Sequence, residues 1–186
     1  MNKVKISIVG FVMVFSLFGT SCGNPISKEK KEVVADTIPT VIKNDTLSKI
    51  YQYQIADTFE NGEPLKVQYV DKQDTSKIVY EKQFYKSGKI FIEGALDNGI
   101  RTGKWIAWYE NGLIWSIGYY KEGLKDGNSE VYYENGQLRY NKNYELDVAV
   151  GSWKFYDTLG VLLSEVMYDN GKKLWQKGNT PGDTQK

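Results

Sequence analysis

The chain has 186 residues, with 24 basic and 23 acidic side chains, no histidine and one cysteine. The basic and acidic side chains are nearly equal in number, and the basic ones form no cluster that could bind along a phosphate backbone. We therefore expect no nucleic-acid partner. The lack of histidine excludes Ser-His-Asp and Cys-His catalysis and histidine-ligated metals, which favours a protein that is not an enzyme and holds neither metal nor cofactor.

The N-terminus has the pattern of an export signal. Lys3 and Lys5 precede a largely apolar stretch, residues 6–18, which is shorter than the about 20 residues that a membrane-spanning helix needs. Three small residues then lead to Cys22, an arrangement that resembles the signal peptide and lipobox of a bacterial lipoprotein. We therefore predict a signal peptide over residues 1–21 and a lipid anchor at Cys22. That anchor implies the bacterial cell envelope, at the outer membrane or the periplasmic face. Ordinary secretion, with a free thiol at Cys22, is the alternative.

The segments that flank the central part of the chain are polar or irregular. Residues 22–48 predict the lipidated cysteine followed by a flexible tether. Residues 49–80 predict a degenerate capping repeat, with strands over 50–59 and 65–70. The run 177–186, which contains glycine and proline, predicts a disordered tail.

Residues 81–176 form a repeat array with a period of 24 residues, in which aromatic and aliphatic positions keep the same step as glycine. Aromatic and β-branched runs on both sides of each glycine predict a β-hairpin. Four such hairpins predict an all-β fold, an antiparallel meander of β-hairpin repeats in a single curved sheet. The glycines expected in turns are Gly88, Gly112, Gly136, Gly160, Gly103, Gly127 and Gly151.

The register of the second hairpin follows from its Asn-Gly pair. A two-residue type I′ loop needs positive φ at both central residues, which Asn111 and Gly112 tolerate. This loop places Trp108 opposite Trp115. Longer glycine-bounded turns are expected between the hairpins, over residues 97–104 and 121–128.

The same register makes two further predictions about side chains. Trp105 faces Gly118, so its ring is expected to lie over the surface that the missing Cβ leaves bare. In the first hairpin, Lys82 faces Glu93, and the two are expected to pair.

One face of the second hairpin is unusually apolar, whereas the corresponding face of the third hairpin is polar. An apolar patch that ends abruptly often marks a contact site. The alternative is that residues 50–70, or Leu174 and Trp175, cover this face and make it core. The candidate binding patch consists of Trp108, Trp115, Ile106 and Ile117.

The Tyr-Glu-Asn-Gly segments at 109–113 and 133–138, with Gly-Lys-Trp at 103–105 and Gly-Ser-Trp at 151–153, resemble the MORN repeat variant and the YwqK-family antitoxin group. The resemblance covers residues 81–175. It implies a β-hairpin repeat sheet that binds proteins or lipid surfaces and brings no catalytic or ligand residue. Ser129 departs from the pattern, because a tryptophan is expected there.

These observations favour a non-enzymatic envelope lipoprotein that presents a β-repeat sheet for protein or envelope-surface binding. Its expected contacts are the membrane, through Cys22, and an unidentified protein partner. Two alternatives remain open. One is an antitoxin or immunity protein that neutralises a toxin, and the other is a carbohydrate-binding or carbohydrate-active protein.

Overall fold

The computed structural model describes residues 45–178, which form one antiparallel sheet of eleven strands preceded by a short helix. Each strand pairs with the strands before and after it in the chain, so the predicted all-β meander is confirmed. The elements are α1 (Thr46–Ile50), β1 (Gln52–Thr58), β2 (Pro64–Val70), β3 (Ile78–Phe84), β4 (Ile90–Asp97), β5 (Ile100–Trp108), β6 (Ile114–Lys121), β7 (Leu124–Tyr132), β8 (Leu138–Glu145), β9 (Val148–Tyr156), β10 (Leu162–Asp169) and β11 (Lys172–Gly178).

The turns at the 24-residue glycines are wider than the predicted two-residue loop. The Tyr109 N–H donates to the Leu113 carbonyl over 2.8 Å, and the Gly112 N–H donates to the Tyr109 carbonyl over 2.9 Å. Gly112 has φ +91°, whereas Asn111 is not among the residues with positive φ, so the type I′ prediction is wrong here. The same pair of hydrogen bonds closes the turns at Gly62, Gly88, Gly136 and Gly160.

This wider turn shifts the register by one residue near the end of the hairpin. A bulge lies between Ala107 and Trp108, so Trp108 pairs with Ile114 and not with Trp115. The predicted pairing of the two tryptophans is therefore wrong, because the bulge leaves Trp115 without a direct partner in β5.

Tight two-residue loops occur at the other end of the strands, where longer turns were expected. Both central residues have positive φ at Asn98-Gly99, Glu122-Gly123, Leu146-Asp147 and Asn170-Gly171. Asp97 pairs directly with Ile100, and Lys121 with Leu124, so the predicted long turns over 97–104 and 121–128 are wrong. Type I′ loops fit here because their twist matches that of the strands they join.

The second glycine column has positive φ as well, but it lies inside strands rather than in turns. Gly103, Gly127 and Gly151 belong to β5, β7 and β9. Each lies where the pairing with the preceding strand slips, as the jump from the Gly94–Trp105 pair to the Ala95–Thr102 pair shows. These glycines therefore belong to β-bulges, which add local twist to the sheet.

Trp105 has a glycine neighbour on both sides, since it pairs with Gly94 in β4 and with Gly118 in β6. A Cβ added at Gly94 would collide with the Trp105 ring, whereas one at Gly118 would meet the Tyr120 ring at 3.3 Å. The indole N–H donates to the Ala95 carbonyl over 3.0 Å, which fixes the ring on that side. The predicted contact over Gly118 is thus wrong, and the ring packs on Gly94.

The N-terminal end of the described region is more ordered than predicted. Asp45 caps α1 by accepting a hydrogen bond of 2.7 Å from the Ser48 N–H, and Leu47 packs against the core cluster of the first strands. Residues 45–48 are therefore not part of a flexible tether. The predicted strands correspond to β1 and β2, which extend the sheet beside β3 and do not cover the repeats. The core cluster consists of Val67, Tyr69 and Phe84.

The C-terminal strand is longer than predicted. Lys177 pairs with Glu165 and Gly178 with Ser164, so these two residues belong to β11 and not to a disordered tail. Leu174 and Trp175 are 55% and 37% exposed on this edge strand, so they do not cover the second hairpin. The predicted signal peptide, Cys22, the rest of the tether and the tail over 179–186 lie outside the described residues. No helix within residues 45–178 has the length and apolar character to cross a bilayer.

Candidate functional site

The structure separates the members of the candidate binding patch. Ile106 and Ile117 are direct cross-strand partners, as predicted. Trp115 is 38% exposed, and its ring centroid lies 5.9 Å from that of Phe91 in a stacked arrangement. Trp108 is half-buried and borders a different, shallow cavity. Three of the four residues, Ile106, Trp115 and Ile117, line one groove, whereas Trp108 does not belong to it.

A ladder of side-chain hydrogen bonds joins each hairpin to the next along the edge that carries the wide turns. Tyrosine hydroxyls donate to main-chain carbonyls of the following hairpin, and turn asparagines do the same with their amides. This ladder holds neighbouring turns in a fixed relation. The bonds run from Tyr85 to Trp108 (2.8 Å), Tyr109 to Tyr132 (2.7 Å), Tyr133 to Tyr156 (2.9 Å), Asn111 to Glu134 (3.3 Å) and Asn135 to Thr158 (2.8 Å).

The tryptophan column is interrupted at its middle position. Trp105 and Trp153 each donate an indole N–H over 3.0 Å to a carbonyl of the preceding strand, that of Ala95 and Asn143 respectively. Ser129 stands in the equivalent place on β7 and brings only a hydroxymethyl group.

A groove of about 310 Å³ lies where the missing ring would be, and we call it the Ser129 groove. Ser129 pairs with Gly118 on one side and with Lys142 on the other. Gly118 occupies the place that Gly94 holds beside Trp105, but the Tyr120 ring lies near it and Lys142 is the other partner, so these side chains border the groove. Side chains that line the groove include Arg101, Trp115, Tyr120, Lys125, Arg139 and Tyr140.

Aromatic rings hold the cations in and beside this groove. The Arg101 guanidinium lies 4.0 Å from the centroid of Trp105 and 5.6 Å from that of Tyr120. The Lys142 ammonium lies 4.4 Å from the centroid of Tyr140 and 4.7 Å from that of Trp153. Such contacts orient a cation along a ring face and leave other N–H donors available. Lys125 and Arg139 likewise lie 5.0 and 5.6 Å from the rings of Tyr144 and Tyr133.

These cations have no carboxylate partner within the described part of the chain. The ion pairs found among residues 45–178 involve only Lys82 and Lys154 as cations. Burial lowers the pKa of Lys142, and the positive charges of Lys125 and Arg139 lower it further. No Asp or Glu of residues 45–178 lines the groove, so its charge is uniformly positive.

A second charged cluster ties α1 to the sheet. The Lys82 ammonium lies 2.6 Å from Asp45 and 3.6 Å from Glu93, which confirms the predicted Lys82–Glu93 pair. Burial opposes ionisation of Asp45, but hydrogen bonds from Lys82, Tyr69 and Ser48 outweigh it and lower its pKa to about 2. Burial raises the pKa of Glu93. This cluster is structural, because its charges compensate one another.

The described residues offer little that resembles a catalytic centre. Within 45–178, no three acidic, histidine or cysteine side chains are grouped so that they could hold a metal ion. The strands instead display aromatic rings and cations.

Comparison with known families agrees with the repeat geometry. The family model described as "MORN repeat variant" matches residues 101–122, 125–145 and 149–170, three consecutive repeats. These segments contain the hairpins β5–β6, β7–β8 and β9–β10. The β3–β4 hairpin lies outside the matched segments, although its turn has the same hydrogen bonds. No curated protein matches the chain.

Proposed function

We propose that this protein is a non-enzymatic interaction module that presents a MORN-variant repeat sheet to a protein partner or an envelope surface. The display of large apolar side chains is the observation that carries this proposal. Among residues 45–178, only eight hydrophobic residues are buried, whereas fifteen large ones are exposed, including Trp115, Tyr119 and Trp175. Extended apolar surface rimmed by polar residues is typical of interaction sites. The repeat match supports the same conclusion, since such repeats serve as scaffolds.

The finer part of the proposal is a lipid anchor at Cys22 in the bacterial cell envelope. It rests on Lys3, Lys5, the short apolar run and the small residues before the cysteine. Replacing the thiol in Cys22→Ser is expected to release the protein into the soluble periplasmic fraction or to stall its processing. A variant that is processed and stays as membrane-bound as wild type would contradict the anchor.

The interaction surface is tested by capture from envelope membranes with the Cys22-anchored form, followed by identification of what is retained. We propose the hairpin with Trp115, Trp108, Ile106 and Ile117 as a contact region. Trp115→Ala is expected to abolish retention while the melting temperature stays within a few degrees, because the side chain is 38% exposed. Trp108→Ala provides a second test, and Leu159→Ala, at an 82% exposed turn position, is the matched control.

The result also separates the alternatives. A captured toxin whose activity is blocked would make the protein an antitoxin or immunity protein. Glycan retention by the purified protein, with no protein captured, would favour carbohydrate binding. If wild type captures neither a protein nor a glycan, the proposed module is wrong.

A further inference from the structure

We propose that the Ser129 groove binds an extended acidic segment of the partner protein. This inference rests on the proposed function, since it assigns a partner chemistry to one place on the interaction sheet. The groove includes Trp115, Ile106 and Ile117 of the proposed contact region but not Trp108, which borders a separate cavity.

The groove exists because one repeat departs from the others at a single residue. In the repeats before and after it, a tryptophan occupies the corresponding position in the row formed by the tryptophan column. The Trp105 ring lies over Gly94, and the Trp153 ring lies beside Lys142. At Ser129 the row is open, and the opposite position on β6 is still glycine. The Tyr120 ring borders this space, since a Cβ at Gly118 would meet it at 3.3 Å, and the groove lies beside that ring where the neighbouring repeats place an indole.

The charge of the groove selects an anionic ligand. Arg101, Lys125 and Arg139 line it, and Lys142 adjoins it through its pairing with Ser129. These four cations form no ion pair among residues 45–178, and no carboxylate of that region lines the groove. Carboxylates of a ligand would gain charge-assisted hydrogen bonds that the protein itself does not make.

The spacing of the cations favours an extended chain over a small ion. Arg101 is on β5, Lys125 on β7 and Arg139 on β8, so the cations are distributed across the sheet. With strands about 4.8 Å apart, β5 and β8 are about 14 Å apart across the sheet. Arg101 lies near the tight loop of its hairpin and Arg139 near a wide turn, so the two are also offset along the strands, and a chain that contacts both must run obliquely across the groove. A small anion would need donors that converge on one point, whereas these cations lie along separate rings.

Aromatic rings lie between the cations and could contact apolar side chains of the same ligand. Trp115, Tyr120 and Tyr140 line the same groove and offer apolar surface to side chains that alternate with the carboxylates. Successive side chains of an extended segment point to opposite sides, so every second residue contacts the sheet. A segment in which acidic and aromatic residues occur together therefore fits both features of the groove.

The test uses the full chain in an uncharged detergent and a rhodamine-labelled peptide of eight residues that alternate glutamate and tyrosine. Fluorescence anisotropy is expected to show at least tenfold tighter binding than for the same peptide with glutamine in place of glutamate. Binding is expected to weaken as salt is raised. Ser129→Trp restores the repeat pattern and is expected to weaken binding at least tenfold, whereas Ser129→Ala leaves the groove open and binding intact.

Several outcomes would overturn the proposal. Equal binding of the glutamine peptide removes the charge argument, and undiminished binding by a folded Ser129→Trp variant removes the groove. Displacement of the peptide by inorganic phosphate, or stronger binding to vesicles of anionic lipid, would replace the acidic segment with another ligand. If Ser129→Trp fails to fold, the double variant Arg101→Gln, Arg139→Gln decides. The double variant Lys86→Gln, Lys172→Gln, at exposed positions outside the groove, is the control for loss of two positive charges.

The same measurements separate this inference from the proposed function. If wild type and Ser129→Trp capture the same partner from membranes equally well, the groove assignment fails and the interaction module stands. If the acidic peptide binds as expected but no partner is captured, the groove has the predicted chemistry and the proposed module fails.

Discussion

Asp45→Asn is expected to reduce stability by an amount that depends on pH. Asparagine is as good an N-cap as aspartate, so α1 keeps its cap and the hydrogen bond from Ser48. The variant loses the charge that faces Lys82 at 2.6 Å, and it also loses an acceptor, because Oδ2 accepts hydrogen bonds from both Lys82 and Tyr69. The contribution of the charge is the part of the effect that changes with pH.

The size of the effect follows from the pKa of Asp45, which is lowered from 3.8 to about 2 in the folded protein. The side chain is 17% exposed, so solvent screening does not remove the effect. Since a tenfold change in proton affinity corresponds to about 1.4 kcal/mol, the carboxylate stabilises the fold by about 2 kcal/mol at neutral pH.

The sign is set by which state binds the proton first. Because the pKa of Asp45 is lower in the folded state, the unfolded chain is protonated first as the pH falls. The stabilisation is therefore complete above about pH 4 and is lost as the pH falls towards 2. Glu93, whose pKa is raised by burial, acts in the opposite direction, and the charge of Asp45 raises the pKa of Glu93 further, so the variant relieves part of this effect. The quantity to compare is the difference in unfolding free energy between wild type and Asp45→Asn.

The assay is urea denaturation of wild type and Asp45→Asn at pH 7 and pH 2, followed by circular dichroism. The difference in unfolding free energy is expected to fall from about 2 kcal/mol to below about 0.5 kcal/mol. Asp169→Asn, at the exposed end of β10, controls for a change of net charge and is expected to have little effect at either pH. A difference that is the same at both pH values would refute the electrostatic explanation.

Three further predictions concern turns and strand contacts. Gly112→Val forces a β-branched residue to φ +91°, although a Cβ there would meet no other atom. The substitution is expected to reduce the unfolding free energy by about 1–3 kcal/mol and to lower the melting temperature. Asparagine tolerates this conformation, so Gly112→Asn is expected to change the melting temperature little. Tyr109→Phe removes the hydrogen bond to the Tyr132 carbonyl and is expected to lower the unfolding free energy, measured by urea denaturation, by about 1 kcal/mol. The control Tyr119→Phe, at an exposed side chain, is expected to change the unfolding free energy very little. Gly178→Val places a Cβ against the backbone of β10, so amide exchange in β11 is expected to accelerate; unchanged protection would contradict the pairing described for that strand.

Much of the strand pairing is accessible from the sequence because the repeat has a fixed period. The columns at a step of 24 locate the hairpins, and the register drawn from Asn111-Gly112 places Trp105 opposite Gly118 and Ile106 opposite Ile117. Both pairs occur, because the bulge offsets the extra residue of the wider turn. Helix α1 is not accessible in this way. Its five residues lie in a polar region, and its position depends on Leu47 packing against distant strands.

The turn types could not be predicted from the local sequence. Asn-Gly suits both a two-residue loop and a wider turn with one left-handed glycine, and the choice between them depends on how the flanking strands bulge. A shift of one residue was enough to separate Trp115 from Trp108. The placement of Trp105 fails for another reason: it has two glycine neighbours, and reasoning within a single hairpin considers only Gly118.

The candidate groove was visible in the sequence only as an interruption at Ser129. Its chemistry depends on cations from β5, β7 and β8, which the sheet brings together although they are far apart in the chain. No local pattern links Arg101 to Arg139. The gap becomes a possible binding site only when the neighbouring strands are placed beside it.

The tyrosine ladder gives the array a direction. Every hydroxyl bond reaches forward along the chain, beginning at Tyr85, and Phe59 in the preceding hairpin has no hydroxyl to donate. At the next position in the column, Asp157 replaces tyrosine and accepts bonds from Leu159 and Val161 within its own turn. The stretch that can gain or lose a whole 24-residue copy therefore has a defined beginning and a stop. If a unit were duplicated before Asp157, every tyrosine hydroxyl would still find a carbonyl in the next hairpin. A unit added after Asp157 would accept no such hydrogen bond, because Asp157 has no hydroxyl to donate.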